Sequence, residues 1–193
     1  MNILKRRGHN LTMLPVSTSR PTGALSVIHV VIMGVAGCGK SAVGHLIGQQ
    51  LGLPLVEGDD FHPDSNIKRM QRGIPLTDED RAAWLETLGR KLACHAAGVV
   101  LTCSALKKSY RDSLREASDG LYFVHLAITE AESLRRVAQR TGHFYPPSLV
   151  ASQFAALQDP AGEANVLTLD GDAPLVQLAT DAVAWLENST RRR

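Results

Sequence analysis

Val27 to Met33 (VIHVVIM) passes without interruption into GVAGCGKS, residues 34–41. A β-branched run that is apolar on both faces has the pattern of a central strand in a parallel sheet. The octapeptide satisfies G-x-x-x-x-G-K-[ST] in the context that gives this motif its meaning, a strand before it and a helical pattern from about Lys40 onward. Glycines let successive backbone N–H groups wrap a chain of phosphates, and the helix that follows turns its positive end toward them. Gly34, Val35, Ala36, Gly37, Cys38, Gly39, Lys40, Ser41 and Ala42 are therefore the candidate nucleotide cradle. Lys40 would meet the β and γ phosphates and is expected to face solvent until they arrive. The Ser41 hydroxyl would ligate Mg²⁺.

The rest of the chain alternates strand and helix. Leu53–Glu57, Val99–Cys103 (VVLTC), Leu121–Ile128 (LYFVHLAI) and Asn165–Leu169 (NVLTL) read as four further strands. Thr77 with Asp80 three residues on resembles a capping box and opens a helix with Trp84, Leu85, Leu88 and Leu92 on one stripe. Further helices are expected at 107–117, 130–140, 148–157 and 174–188, the last with Leu175, Leu178, Ala182 and Trp185 facing inward. This alternation predicts an α/β domain, a doubly wound five-stranded parallel sheet.

One domain over residues 27–188 suits a chain of 193 residues, 44% of them hydrophobic. Residues 1–26 have no apolar period, are rich in Pro, Ser, Thr and Gly, and are expected to be a disordered tail. The tail is basic and free of acid, which superficially fits an organelle transit peptide, and Met13 is an alternative start. With Lys5, Arg6, Arg7 and Arg20 at one end and Arg191, Arg192 and Arg193 in a basic tail (189–193) at the other, these seven more than account for the net charge of +2. The segment between them holds all 19 Asp and Glu and is net acidic, which argues against nucleic acid as a partner. No apolar run approaches membrane-spanning length, and Cys38, Cys94 and Cys103 form no C-x-x-C pair. A cytoplasmic protein fits best.

Three kinds of nucleotide-binding protein use such a loop. A GTPase would need N-K-x-D, and no lysine here follows an asparagine; DPAG at 159–162 follows a helix end instead of a strand. A motor or transporter ATPase would end a strand on an acid, whereas VVLTC runs into Ser104 and Ala105. The metal-side carboxylate is instead sought at the end of the second strand, where Asp59 and Asp60 stand at the carboxyl edge of the sheet. Small kinases resembling nucleoside monophosphate and shikimate kinases have that arrangement, together with a small mobile lid.

Four segments in order sharpen the resemblance: the loop, then GDDFHPDSNIKRMQRGIPLTDEDRAAWL, TCSALKKSYRDSLR and RTGHFYPPSLVASQFAALQDP. From about residue 27 to 188 the chain resembles the P-loop gluconokinases. The resemblance implies transfer of the ATP γ-phosphoryl group, with Mg²⁺, to the 6-hydroxyl of D-gluconate, and it implies a homodimer. Another small polar acceptor such as shikimate, or a non-catalytic nucleotide-binding regulator, is the rival reading.

Asp59 is the choice for aligning or deprotonating the acceptor hydroxyl and supporting Mg²⁺, with Asp60 the alternate; capping of the helix after Pro63 is the structural reading of both. His62 is a candidate donor to a sugar-acid hydroxyl or a brace for its loop. The acceptor carboxylate needs a cation, for which Arg81, Lys107 and Arg111 are candidates. Arg136 and Arg140 lie four apart just before T-G-H-F-Y-P-P, as lid arginines that reach adenine or phosphate, although such a pair also suits a solvated helix face. Gln153 is carried over as an acceptor contact. The loop 171–174 should border the adenine.

Overall fold

The structure, a computed structural model, describes residues 27–139 and 145–192. The expected N-terminal tail lies outside the described residues, as do Arg140, residues 141–144 of the turn that follows it, and Arg193. Five strands, β1 (His29–Met33), β2 (Leu55–Glu57), β3 (Val99–Thr102), β4 (Tyr122–Ala127) and β5 (Val166–Asp170), form one sheet in the order β2-β3-β1-β4-β5. Every pairing is parallel. Around it stand α1 (Lys40–Leu51), α2 (Asp64–Gln71), α3 (Asp78–Cys94), α4 (Lys108–Ala117), α5 (Glu130–Gln139), α6 (Val150–Ala156) and α7 (Leu175–Thr190).

The two-residue period of β1 sorts the core into two layers. Val30 and Ile32 pack with Val43 and Ile47 of α1 and with Leu178, Ala182 and Leu186 of α7. Val31 and Met33 point to the other face, toward Trp84, Leu85, Leu88 and Leu92 of α3 and Tyr110 and Leu114 of α4. Burial on both faces explains why β1 has no polar alternation. Leu175 departs from the expected inward stripe: it is 41% exposed, because the buried face of α7 begins one turn later at Leu178. That helix also continues to Thr190, past the expected boundary at 188.

Thr77 caps α3 as expected. Its hydroxyl accepts from Asp80 N–H at 3.2 Å, and the Asp80 carboxylate accepts from Thr77 N–H at 2.8 Å. The expected helix at 148–157 starts instead as a 3-10 turn (Pro147–Leu149) before α6. Asp59 and Asp60 fall in a 3-10 turn, Gly58–Phe61, and the cap position of α2 is Pro63, with no side-chain cap. Neither aspartate caps that helix.

Candidate active site

β1 lies between β3 and β4 at the middle of the sheet, so the loop 34–39 leaves its carboxyl end where chain connections diverge to either side, the usual place for a ligand in such folds. Gly39 precedes α1 with φ 99° and no side-chain cap, leaving the first N–H groups of the helix without a side-chain acceptor. Gly34 has φ 137°, and a Cβ there would stand 2.8 Å from the Leu126 carbonyl oxygen. The loop is thus a glycine-dependent turn with free donors at a helix start, suited to an anion.

Lys40 corrects one expectation. Its ammonium lines the pocket but is not free there; it donates to the Gly34 and Val35 carbonyl oxygens at 3.1 and 3.0 Å, folded over the loop. Ser41 Oγ donates to Glu57 Oε2 at 3.0 Å, and Thr102 Oγ1 donates to the same oxygen at 2.6 Å. Glu57, the last residue of β2, has nothing in the sequence to set it above the aspartates at 59 and 60, because its contact with Ser41 is made only when β2 pairs with β3. Ser41 and Glu57 offer the hard oxygen donors that Mg²⁺ takes, and a site of this kind needs only one or two carboxylates besides phosphate oxygens. Among the described residues no cluster of three or more His, Cys, Asp or Glu gathers to hold a metal.

Beside the loop opens a pocket lined by Ala36, Lys40, Asp59, His62, Arg81 and Gln153, with Trp84, Ser104, Tyr145 and Ser152 among its other walls. Asp59 is half-buried and on the lining; Asp60 is exposed and is not. The turn that carries them is held closely. Gly58 donates N–H to Thr102 Oγ1 at 3.2 Å and accepts from Trp84 Nε1 at 2.8 Å, and a Cβ at Gly58 would come within 2.1 Å of the Thr102 carbonyl oxygen. His62 stacks on Trp84, and its Nδ1 is buried with no hydrogen-bond partner. Burial pushes the His62 pKa down to about 4, against a smaller opposing pull from the Asp59 carboxylate. A neutral imidazole with an orphaned nitrogen at a pocket wall is a ready partner for a ligand hydroxyl.

Arg81 donates to the Leu76 and Thr77 carbonyl oxygens and still lines the pocket. Lys107 is absent from that lining. It pairs with Asp78 at 2.6 Å on the rim of an adjoining cleft that shares Arg81 and Ser152 with the pocket. The Lys107 ammonium and the Tyr110 hydroxyl both hold the Asp78 carboxyl below its usual range.

Arg111 is a correction. Its side chain is fully buried, paired with Glu163, and donates to the carbonyl oxygens of Ala105, Leu106 and Gln158. All its donor directions are turned into the protein, so it is not available to an acceptor carboxylate. It instead staples the segment after α6 to the start of α4, where Gln158 N–H and Oε1 also bond Leu106 O and Lys108 N–H.

Arg136 lies between the loop and the 171–172 turn. It donates to Gly171 O at 3.1 Å and to Asp172 at 2.7 Å, reaches Gly37 O at 3.4 Å, and pairs with Glu132 at 2.5 Å. From the same helix Ser133 Oγ donates to Ala36 O at 2.7 Å, and from α6 Gln153 Oε1 accepts from Ala36 N–H at 2.6 Å. Helices α5 and α6 therefore both rest on the peptide groups of the loop.

A glycine-dependent loop suited to an anion, at the switch point of a parallel sheet with a carboxylate and a guanidinium on the adjoining pocket, has the layout of a small-molecule kinase. A family profile described as Shikimate kinase matches residues 36–156, more than half the chain. The gluconokinase of Gluconobacter oxydans (strain 621H) is 42% identical over 74% of this chain and 82% of its own length. The thermoresistant gluconokinase of Escherichia coli (strain K12) is 42% identical over 75% and 85%. A solved gluconokinase from Sinorhizobium meliloti 1021 superposes with a TM-score of 0.79 at 45% identity, covering 86% of this chain and 94% of that one. A sugar kinase from Janibacter sp. HTCC2649 gives 0.80 at 41% identity, covering 86% and 97%. The chain belongs to the gluconokinase family.

Proposed function

We propose that this protein transfers the γ-phosphoryl group of ATP to the 6-hydroxyl of D-gluconate, forming 6-phospho-D-gluconate and ADP. The observation that carries the reading is the convergence of the loop lysine, Asp59 and Arg81 on one pocket, beside relatives named gluconokinase. Phosphoryl transfer asks a protein for positioning and charge neutralisation more than for covalent chemistry. The γ-phosphorus separates from the bridging oxygen, which leaves on ADP, while the acceptor oxygen bonds to phosphorus and gives up its proton.

In this reading Asp59 orients the 6-hydroxyl and takes that proton. Lys40 exchanges its two loop carbonyls for phosphate oxygens, the stronger acceptors. Residues 34–42 supply backbone donors, and Arg136, with Arg140, serves the nucleotide side. Ser41 and Glu57 would hold Mg²⁺, with Asp59 in support, and the bound ion would supply neutralisation of phosphate charge. Arg81 meets the acceptor carboxylate, with Lys107 on the outer rim, and His62 and Gln153 meet hydroxyls. Among the described residues no helix is long and apolar enough to cross a membrane. The cysteine pattern supports a cytoplasmic location, and the resemblance to the gluconokinases supports a homodimer.

A coupled assay of ADP release with gluconate, shikimate and AMP as acceptors tests the assignment. Turnover with gluconate far above the other two is expected. Preference for shikimate or AMP would transfer the site to another acceptor, and ATP binding without turnover would mark a regulator.

A further inference from the structure

Gln153 spans the pocket from α6 to the glycine-rich loop, and its Oε1 occupies the Ala36 N–H at 2.6 Å. A loop of this kind holds phosphate through its backbone N–H groups. Gln153 therefore takes a donor that a phosphate oxygen needs. In-line transfer puts the γ-phosphoryl group between the nucleotide and the acceptor. Ala36 lines the pocket together with Lys40 and Asp59, so its N–H belongs to the side where the transferred group must lie. A phosphate oxygen is a stronger acceptor than a neutral amide oxygen, and exchange favours the phosphate. The Nε2 of Gln153 has no hydrogen bond within the described residues, so one face of the amide is already uncommitted.

We propose that Gln153 is a positioning residue that exchanges partners. It holds the Ala36 N–H while the loop lacks a terminal phosphate, yields it to the γ-phosphate, and then turns its amide to a hydroxyl of the acceptor. The acceptor half of this statement rests on the kinase reading above; the nucleotide half does not. Acceptor and triphosphate then bind cooperatively, and a diphosphate, which leaves the Ala36 N–H to Gln153, does not promote acceptor binding. After transfer the amide returns to the loop and its hold on the phosphorylated acceptor ends.

Calorimetric titration of the full chain in Mg²⁺ tests both halves, using a non-hydrolysable ATP analogue and ADP, each with and without gluconate. In the wild type, gluconate is expected to bind about tenfold more tightly to the analogue complex than to the free or ADP-bound protein. Gln153→Ala should bring that ratio to within about twofold of unity without weakening the analogue. Gln153→Glu sets a carboxylate where the γ-phosphate must come, so the analogue should bind about tenfold or more weakly while ADP changes less than about threefold. Equal effects of Gln153→Glu on analogue and ADP, no effect on either, or wild-type coupling in Gln153→Ala would overturn the proposal. Melting curves of both variants check the fold, and the alanine variant carries the test if the glutamate does not fold. If the wild type binds no gluconate but Gln153→Glu still separates analogue from ADP, the acceptor assignment fails and the exchange at the loop stands.

Discussion

The His62 ring lies parallel to the Trp84 indole, centroids 4.1 Å apart and planes inclined by 16°, and the same indole donates to the Gly58 carbonyl oxygen at 2.8 Å. One fully buried side chain of α3 thereby holds both ends of the short segment that carries Asp59. The capping box at Thr77 fixes where α3 begins and so where Trp84 stands. A local signal in the sequence thus acts on the candidate catalytic carboxylate through packing.

His62 gives the fold a pH dependence with a definite sign. Its pKa falls from 6.5 to about 4 in the folded state, so between these values the unfolded chain binds more protons than the folded one. The contribution is complete above about pH 6.5 and is lost as pH falls toward 4. At most about 3 kcal/mol is involved, and the partial exposure of the ring reduces it. Denaturant unfolding at pH 7 and 4.5 should show the stability advantage of the wild type over His62→Gln shrinking at the lower pH; parallel pH curves would place the dependence elsewhere.

Asp59→Asn keeps size and much of the hydrogen bonding but removes charge and basicity. Its kcat should fall ~100-fold or more, about 2.7 kcal/mol of transition-state stabilisation, with ATP affinity little changed. Asp60→Asn, on an exposed residue outside the pocket lining, should remain near wild type. Steady-state kinetics that put the large defect on Asp60 would reverse the assignment.

Glu57→Gln leaves a hydrogen-bond acceptor for Ser41 and Thr102 but removes the negative charge beside the Ser41 hydroxyl. The Mg²⁺ concentration giving half-maximal activity should rise about tenfold or more, and saturating metal should recover most of kcat. An unchanged metal titration would confine Glu57 to a structural role.

Arg111→Met removes the buried partner of Glu163, itself 13% exposed. Breaking such a pair should cost about 3 kcal/mol or more and lower Tm by about 6 °C or more. Adding Glu163→Gln should restore part of the loss. Below the melting range the acceptor KM of the single variant should stay near wild type, whereas a clamp on the acceptor carboxylate would raise it sharply.

Features encoded by neighbouring residues were legible in the chain. The β-branched run into GVAGCGKS, the Thr77–Asp80 cap and the strand-helix alternation rest on local geometry, so the five-stranded parallel sheet and the position of the loop could be read without coordinates. The particular partner of each side chain could not. Lys107 and Arg111 stand four residues apart with the same charge, yet one lies on a rim with Asp78 and the other is buried against Glu163, 52 residues away. Glu57 faces Ser41 because β2 lies parallel to β3, which brings its carboxylate to Thr102 and the start of α1. Gln153 reaches Ala36 across 117 residues. Such contacts depend on how strands and helices pack at the carboxyl edge of the sheet, and no period or spacing along the chain records that arrangement.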